Sequence, residues 1–255
     1  MIHVEKSGNG PALVLVHGWG LNSGVWAQVV EPLSANFTIY RVDLPGFGFS
    51  ERCSESNVEA WAKMVVDAVD EPAVWLGWSL GGLVATQIAI DYPEKVNGLI
   101  TVASSPSFAE SEEWPGIKSN VMNMFTQQLS HDFALTLERF LAIQAMGSDS
   151  AKRDIKALKA VLEQRPLPNK QSLHDGLQLL NDVDLRTKLH QIEQPFLRIY
   201  GRLDSLVPQK VITLVDDLTP KSSKVIFAKA SHAPFISHTE EFISVIREFL
   251  ESVKA

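Results

Sequence analysis

A chain of 255 residues with 45% hydrophobic content has enough apolar surface for one sizeable core. Its formal net charge of −7 argues against a general nucleic-acid binder, and no apolar run approaches the roughly 18 residues of a membrane-spanning helix. The only cysteine, Cys53, excludes an internal disulfide and fits a reducing cytoplasm.

Residues 1–6 lack the charged-then-apolar pattern of a secretory leader. The first short apolar run spans 12–16, and helical spacing follows over 23–33. A second run at 39–42 precedes a helix over 58–69, and a third at 73–76 leads into a helix over 80–91. Further runs lie at 99–103, 196–200 and 224–227, the last two followed by helices over 209–218 and 240–253. These runs are too short for helices, and their Val and Ile content with little polar alternation suits buried parallel strands. The alternation predicts an α/β fold, a doubly wound and mostly parallel sheet with helices on both faces. In such sheets ligands gather at the carboxyl ends of the strands.

One interval breaks the alternation. Between 108 and 185 the apolar residues follow helical spacing: Met122, Phe125 and Leu129, then Leu137, Phe140, Leu141 and Gln144, then Ile155, Leu158 and Leu162. A stretch this long is not a structureless loop in a compact domain. The expected division is a core of 1–107 and 186–255 and a helical lid of 108–185.

The chemistry centres on Gly77-Trp78-Ser79-Leu80-Gly81, a G-x-S-x-G elbow between a strand and a helix. The sharp turn lifts the Ser79 hydroxyl clear of the sheet, at a helix N-terminus that favours developing negative charge. A serine hydroxyl needs an adjacent base, itself oriented by a third group. Asp204, in the loop after the strand at 196–200, is the acid; Asp182, Asp184, Asp216 and Asp217 fall in helices or at helix ends. His232, just past the strand at 224–227, is the base, while His17 is expected to shape the loop after the first long strand. Two backbone donors are needed for an oxyanion, and the N–H groups of Trp19 and Leu80 are expected to supply them. The indoles of Trp19 and Trp78 either wall the pocket or fill packing space. Asp43, in Asp43-Leu44-Pro45-Gly46-Phe47-Gly48-Phe49-Ser50, is expected to bond backbone groups of that loop. No metal site is expected.

These motifs identify the chain as a member of the α/β-hydrolase superfamily, which it resembles over its full length. Six segments narrow the resemblance: His17-Gly18-Trp19-Gly20-Leu21-Asn22, the elbow with Gly82, Ala103-Ser104-Ser105-Pro106, Glu113-Trp114-Pro115-Gly116-Ile117-Lys118, Arg139-Phe140-Leu141-Ala142-Ile143-Gln144, and 228–238 around His232. They point to the branch of esterases acting on carrier-bound acyl chains. The resemblance implies removal of a methyl ester from a pimeloyl chain on acyl carrier protein in biotin biosynthesis, without metal or organic cofactor. It implies a triad of Ser79, Asp204 and His232, ester contacts from Trp19 and Leu80, and an acyl channel lined by Phe140, Leu141, Ala142, Ile143 and Gln144. The bland alternative is a general short-chain carboxylesterase.

From 135 to 170 seven basic residues face four acidic ones, and Lys152, Lys156 and Lys159 share one helix face. A basic face on an acidic protein suits an acidic partner, and the resemblance implies acyl carrier protein, met by Arg139, Lys152 and Lys156. The expected enzyme is a cytoplasmic monomer with no nucleic-acid or membrane partner.

Overall fold

In the computed structural model, which describes residues 1–254, a seven-stranded sheet forms the centre of the molecule. Its strands are β1 (Val4–Ser7), β2 (Ala12–Val16), β3 (Thr38–Val42), β4 (Ala73–Trp78), β5 (Val96–Val102), β6 (Phe196–Gly201) and β7 (Ser223–Phe227). They lie in the order β1-β3-β2-β4-β5-β6-β7, and only β1 runs antiparallel to its neighbour, with Val4 opposite Val42. The six strands expected from the sequence are all present. β1 is the addition: Val-Glu-Lys-Ser holds one apolar residue, and a half-exposed edge strand needs no more.

The helices are α1 (Ala27–Ser34), α2 (Val58–Val66), α3 (Leu80–Asp91), α4 (Ser119–His131), α5 (Phe133–Ala145), α6 (Ala151–Glu163), α7 (Lys170–Asp182), α8 (Gln209–Leu218), α9 (Pro234–Ser237) and α10 (Thr239–Lys254). The predicted helix at 23–33 begins instead as a 3-10 turn, Ser23–Trp26, with Gly24 N–H donating to the Asn22 side chain at 3.0 Å. Strand pleating sorts the core into two layers. Val14, Val16 and Trp75 pack with α2, α3 and α8, whereas Leu13, Leu15 and Leu76 pack with α1 and α10. Burying one such aliphatic side chain contributes roughly 1.5–3 kcal/mol. α3 is buried from Leu80 to Ala89, so the helix behind the elbow has no solvent face over that span. Among the described residues no helix is long and apolar enough to cross a membrane.

Between β5 and β6 the chain leaves the sheet to form α4–α7. Where it leaves and returns, Ser107 bridges Asp184, and Leu185 N–H donates to the Pro106 carbonyl at 2.8 Å. Asp132 caps α5 and Asn169 caps α7 through their side-chain oxygens. Met122, Phe125, Leu129, Leu137, Phe140 and Leu141 are buried, as their spacing predicts. Cys53 is buried as well, although its neighbours are polar.

Candidate active site

Ser79 joins β4 directly to α3 with φ 55° and ψ −119°, a left-handed conformation unusual for any residue but glycine. The elbow closes only because its flanks lack side chains. A Cβ on Gly77 would lie 2.1 Å from the Gly81 carbonyl oxygen, and one on Gly81 would lie 2.4 Å from that of His17. The strained carbonyl of Ser79 accepts Gly82 N–H at 2.9 Å and the Ser104 hydroxyl at 2.8 Å.

The three residues read as a triad meet here. His232 Nε2 lies 2.9 Å from Ser79 Oγ, and His232 Nδ1 lies 2.7 Å from Asp204 Oδ2. The other carboxylate oxygen of Asp204 accepts the N–H groups of Leu206 at 2.8 Å and Val207 at 3.1 Å. That bonding assigns the imidazole: Nδ1 carries the proton toward the carboxylate, and Nε2 is free to receive one from the serine. Ser79 is 2% exposed and His232 0%, so the relay is sealed from solvent.

The loop after β2 passes beside the nucleophile, close enough that a Cβ on Gly18 would sit 3.2 Å from Ser79 Cβ. Among the described residues, neither Trp19 N–H nor Leu80 N–H is spent on a turn, a cap or a side-chain acceptor. His17 is fully buried beneath this loop. Its Nδ1 donates to the Gly18 carbonyl at 2.8 Å, and its Nε2 accepts Leu44 N–H at 2.9 Å. That pair of bonds requires the neutral ring, and burial first, with Arg165 adding to it, holds the imidazole below its ordinary value of 6.5. A base with a depressed folded value stabilises the fold fully above the unfolded value and loses that contribution as pH falls below it. Urea unfolding of the native protein should therefore need less denaturant as pH drops from about 8 to 5. His17→Gln should show a shallower decline; equal slopes in the two proteins would refute the assignment.

Trp19 and Trp78, indistinguishable in the sequence, have separate tasks. The Trp19 indole donates to the Leu173 carbonyl at 2.8 Å and meets the Phe140 ring at 4.7 Å, under the inserted helices. The Trp78 indole donates to the His232 carbonyl at 2.8 Å and packs against Phe235. It braces the base from the opposite side of the sheet. Nothing in the sequence marks that bond, nor the one from Ser104.

Of the five residues expected to line one channel, Phe140, Leu141 and Gln144 are buried and Ile143 is half-buried, but Ala142 is exposed. Five consecutive helical residues turn through more than one full circle, so they cannot share a face. Among the basic residues, Arg139, Lys152 and Lys156 are exposed and make no ion pair among the described residues, whereas Lys159 pairs with Glu138 at 2.6 Å. Arg165 does not belong to any outer face. It reaches inward to Asp43, Glu5 and Ser23 and is 10% exposed. Asp43 takes Ser23 N–H at 2.7 Å and Phe49 N–H at 3.0 Å, the backbone role its loop predicts.

A sealed serine relay on a strand-to-helix elbow, at the carboxyl edge of a mostly parallel sheet, defines a class. The chain belongs to the alpha/beta hydrolase fold family, whose model matches residues 11–239. It is 51% identical over 250 residues to the pimeloyl-[acyl-carrier protein] methyl ester esterase of Vibrio parahaemolyticus, covering 98% of each chain. It is 52% identical over 247 residues to the esterase of the same name from Photobacterium profundum, covering 97% of each. The solved structure of a bromoperoxidase from Bacillus anthracis superposes with a TM-score of 0.89 at 21% identity, covering 98% of this chain and 95% of that one. At that identity the likeness is one of fold.

Proposed function

We propose that this chain is a serine esterase that removes the methyl ester from a pimeloyl chain carried by acyl carrier protein, a step of biotin biosynthesis. The chemistry rests on one observation, the buried hydroxyl, imidazole and carboxylate joined at 2.9 and 2.7 Å. The substrate rests on relatives about half identical along almost the entire chain. His232 takes the Ser79 proton as the hydroxyl attacks the ester carbonyl, and Asp204 steadies the imidazolium that forms. The oxyanion is held by the N–H groups of Trp19 and Leu80, each typically worth about 10²–10³ in turnover. Methanol departs with the proton from His232 and leaves an acyl-serine. Water activated by the same imidazole then releases the free carboxylate. The scheme needs no metal or organic cofactor.

The inserted helices act as a lid, with 108–185 as its bounds on a core of 1–107 and 186–255. Trp19, Phe140, Leu141, Ile143 and Gln144 wall the acyl channel beneath it. Both polar atoms of the Gln144 amide are buried without a partner among the described residues, which leaves a donor and an acceptor for a bound chain. Arg139, Lys152 and Lys156 meet the acidic carrier, steering encounter more than adding affinity. The enzyme works as a cytoplasmic monomer without nucleic acid or membrane. Incubation with methyl-pimeloyl-acyl carrier protein should lower the mass of the carrier by one methylene unit, read by mass spectrometry. Rapid turnover of free short esters with no change in the carrier would replace this reading with a general short-chain esterase.

A further inference from the structure

The inserted helices touch the loop of the base through main-chain carbonyls. At the end of α5 the Gln144 carbonyl accepts His232 N–H at 3.0 Å. Two residues on, the Met146 carbonyl accepts the Ser231 hydroxyl at 3.0 Å. That hydroxyl also lies 3.4 Å from the carbonyl of Leu203, the residue before Asp204. Ser231 is 3% exposed, so bulk water does not substitute for these acceptors. One hydroxyl thus ties together the insertion, the loop of the acid and the loop of the base.

We propose that Ser231 is a positioning residue that couples closure of the insertion to alignment of His232 and Asp204. The proposal rests on the esterase reading above. Because Ser79 and His232 are sealed, an acyl chain reaches the nucleophile only when the insertion lifts. Lifting α5 withdraws both carbonyls together, so His232 N–H loses its acceptor and the Ser231 hydroxyl keeps only the longer contact to the Leu203 carbonyl. The base is then held by Asp204, the Ser79 hydroxyl and the Trp78 indole, without any contact from the insertion. Closure over a seated chain rebuilds the frame, so hydrolysis waits for the closed state. Proton relays are sensitive to such shifts, since a misplacement of about 1 Å can cost about 10²-fold in rate.

The test compares Ser231→Ala and Ser231→Thr with the native enzyme on a nitrophenyl ester of a short fatty acid, with active sites counted by fluorophosphonate titration. Ser231→Ala should lower kcat about tenfold and leave KM within about twofold. Ser231→Thr, which keeps the hydroxyl, should restore most of the loss. Hydrogen exchange at the His232 amide should quicken in Ser231→Ala, with β4 and β5 unchanged. An unaltered kcat overturns the proposal. So does a lower kcat with unaltered His232 exchange, which marks a local defect with no tie to the insertion. A native enzyme inert toward every ester would count against the esterase reading, and the exchange rates would still decide the coupling.

Discussion

Asp204→Asn should lower kcat by about 10⁴-fold while the protein stays folded. The side chain is nearly isosteric, and its amide oxygen can still accept Leu206 and Val207 N–H, as Asp204 Oδ1 does at 2.8 and 3.1 Å. The amide nitrogen then occupies the site of Oδ2 and donates to His232 Nδ1, where the carboxylate accepted at 2.7 Å. The imidazole is forced to carry its proton on Nε2, facing Ser79, and can no longer take one from the serine. The negative charge that steadies the imidazolium is lost as well. Steady-state kinetics per titrated site and a thermal melt check both halves of the expectation. Turnover within about tenfold of native in a folded variant would mean that another carboxylate orients the base.

Arg165→Ala should destabilise the fold by about 3 kcal/mol, because it leaves a fully buried carboxylate without its cation. Asp43 has no solvent contact, and Arg165 lies 3.3 Å from it, 2.6 Å from Glu5 and 2.9 Å from the Ser23 hydroxyl. The guanidinium also lies over the Phe49 ring at 5.4 Å. Burial pushes the Glu5 carboxyl up, but Arg41, His3 and Arg165 together hold it below the usual carboxylate value. For a chain of this size the loss corresponds to roughly 6–12 °C in Tm. Ser23 and Phe49 N–H still reach Asp43 in the variant, which keeps the figure at the lower end for a broken buried pair. Arg165→Lys should fall between, since an ammonium keeps the charge but cannot span three acceptors with one planar fork. A loss under about 1 kcal/mol in Arg165→Ala would show the cluster to behave like an exposed ion pair.

The sheet was legible because a strand covered on both faces has to be apolar along its length. Leu13 and Leu15 point into one layer and Val14 and Val16 into the other, so the run carries no polar interruption. β1 escaped notice for the converse reason, as an edge strand can be Val-Glu-Lys-Ser and still pair. Ser79, Asp204 and His232 were readable from their loops, each after a strand, because the chemistry restricts both residue type and chain order. The supports around them were not. A serine at 104, a tryptophan at 78 and a serine at 231 look like any other until the fold brings them against the elbow and the base. Arg165 counts among the seven basic residues of 135–170, but composition gives the charge of a residue and not its direction, and its inward reach to Asp43 is not legible there. Ala142 faces outward because the helix turns more than once over residues 140–144, a rotation that a run of five letters does not show.

The join at which α4–α7 leave and rejoin the sheet gives the molecule a modular character. With Ser107 set against Asp184 and Pro106 against Leu185, the excursion starts and finishes at one place beside the sheet. Its outward faces can be rewritten or recharged without retying a strand, provided Arg165 keeps Asp43 and Glu5 and the Gln144 and Met146 carbonyls keep the loop of the base. Preference for a new acyl donor can therefore evolve on those outward faces while the bond-breaking apparatus stays as it is.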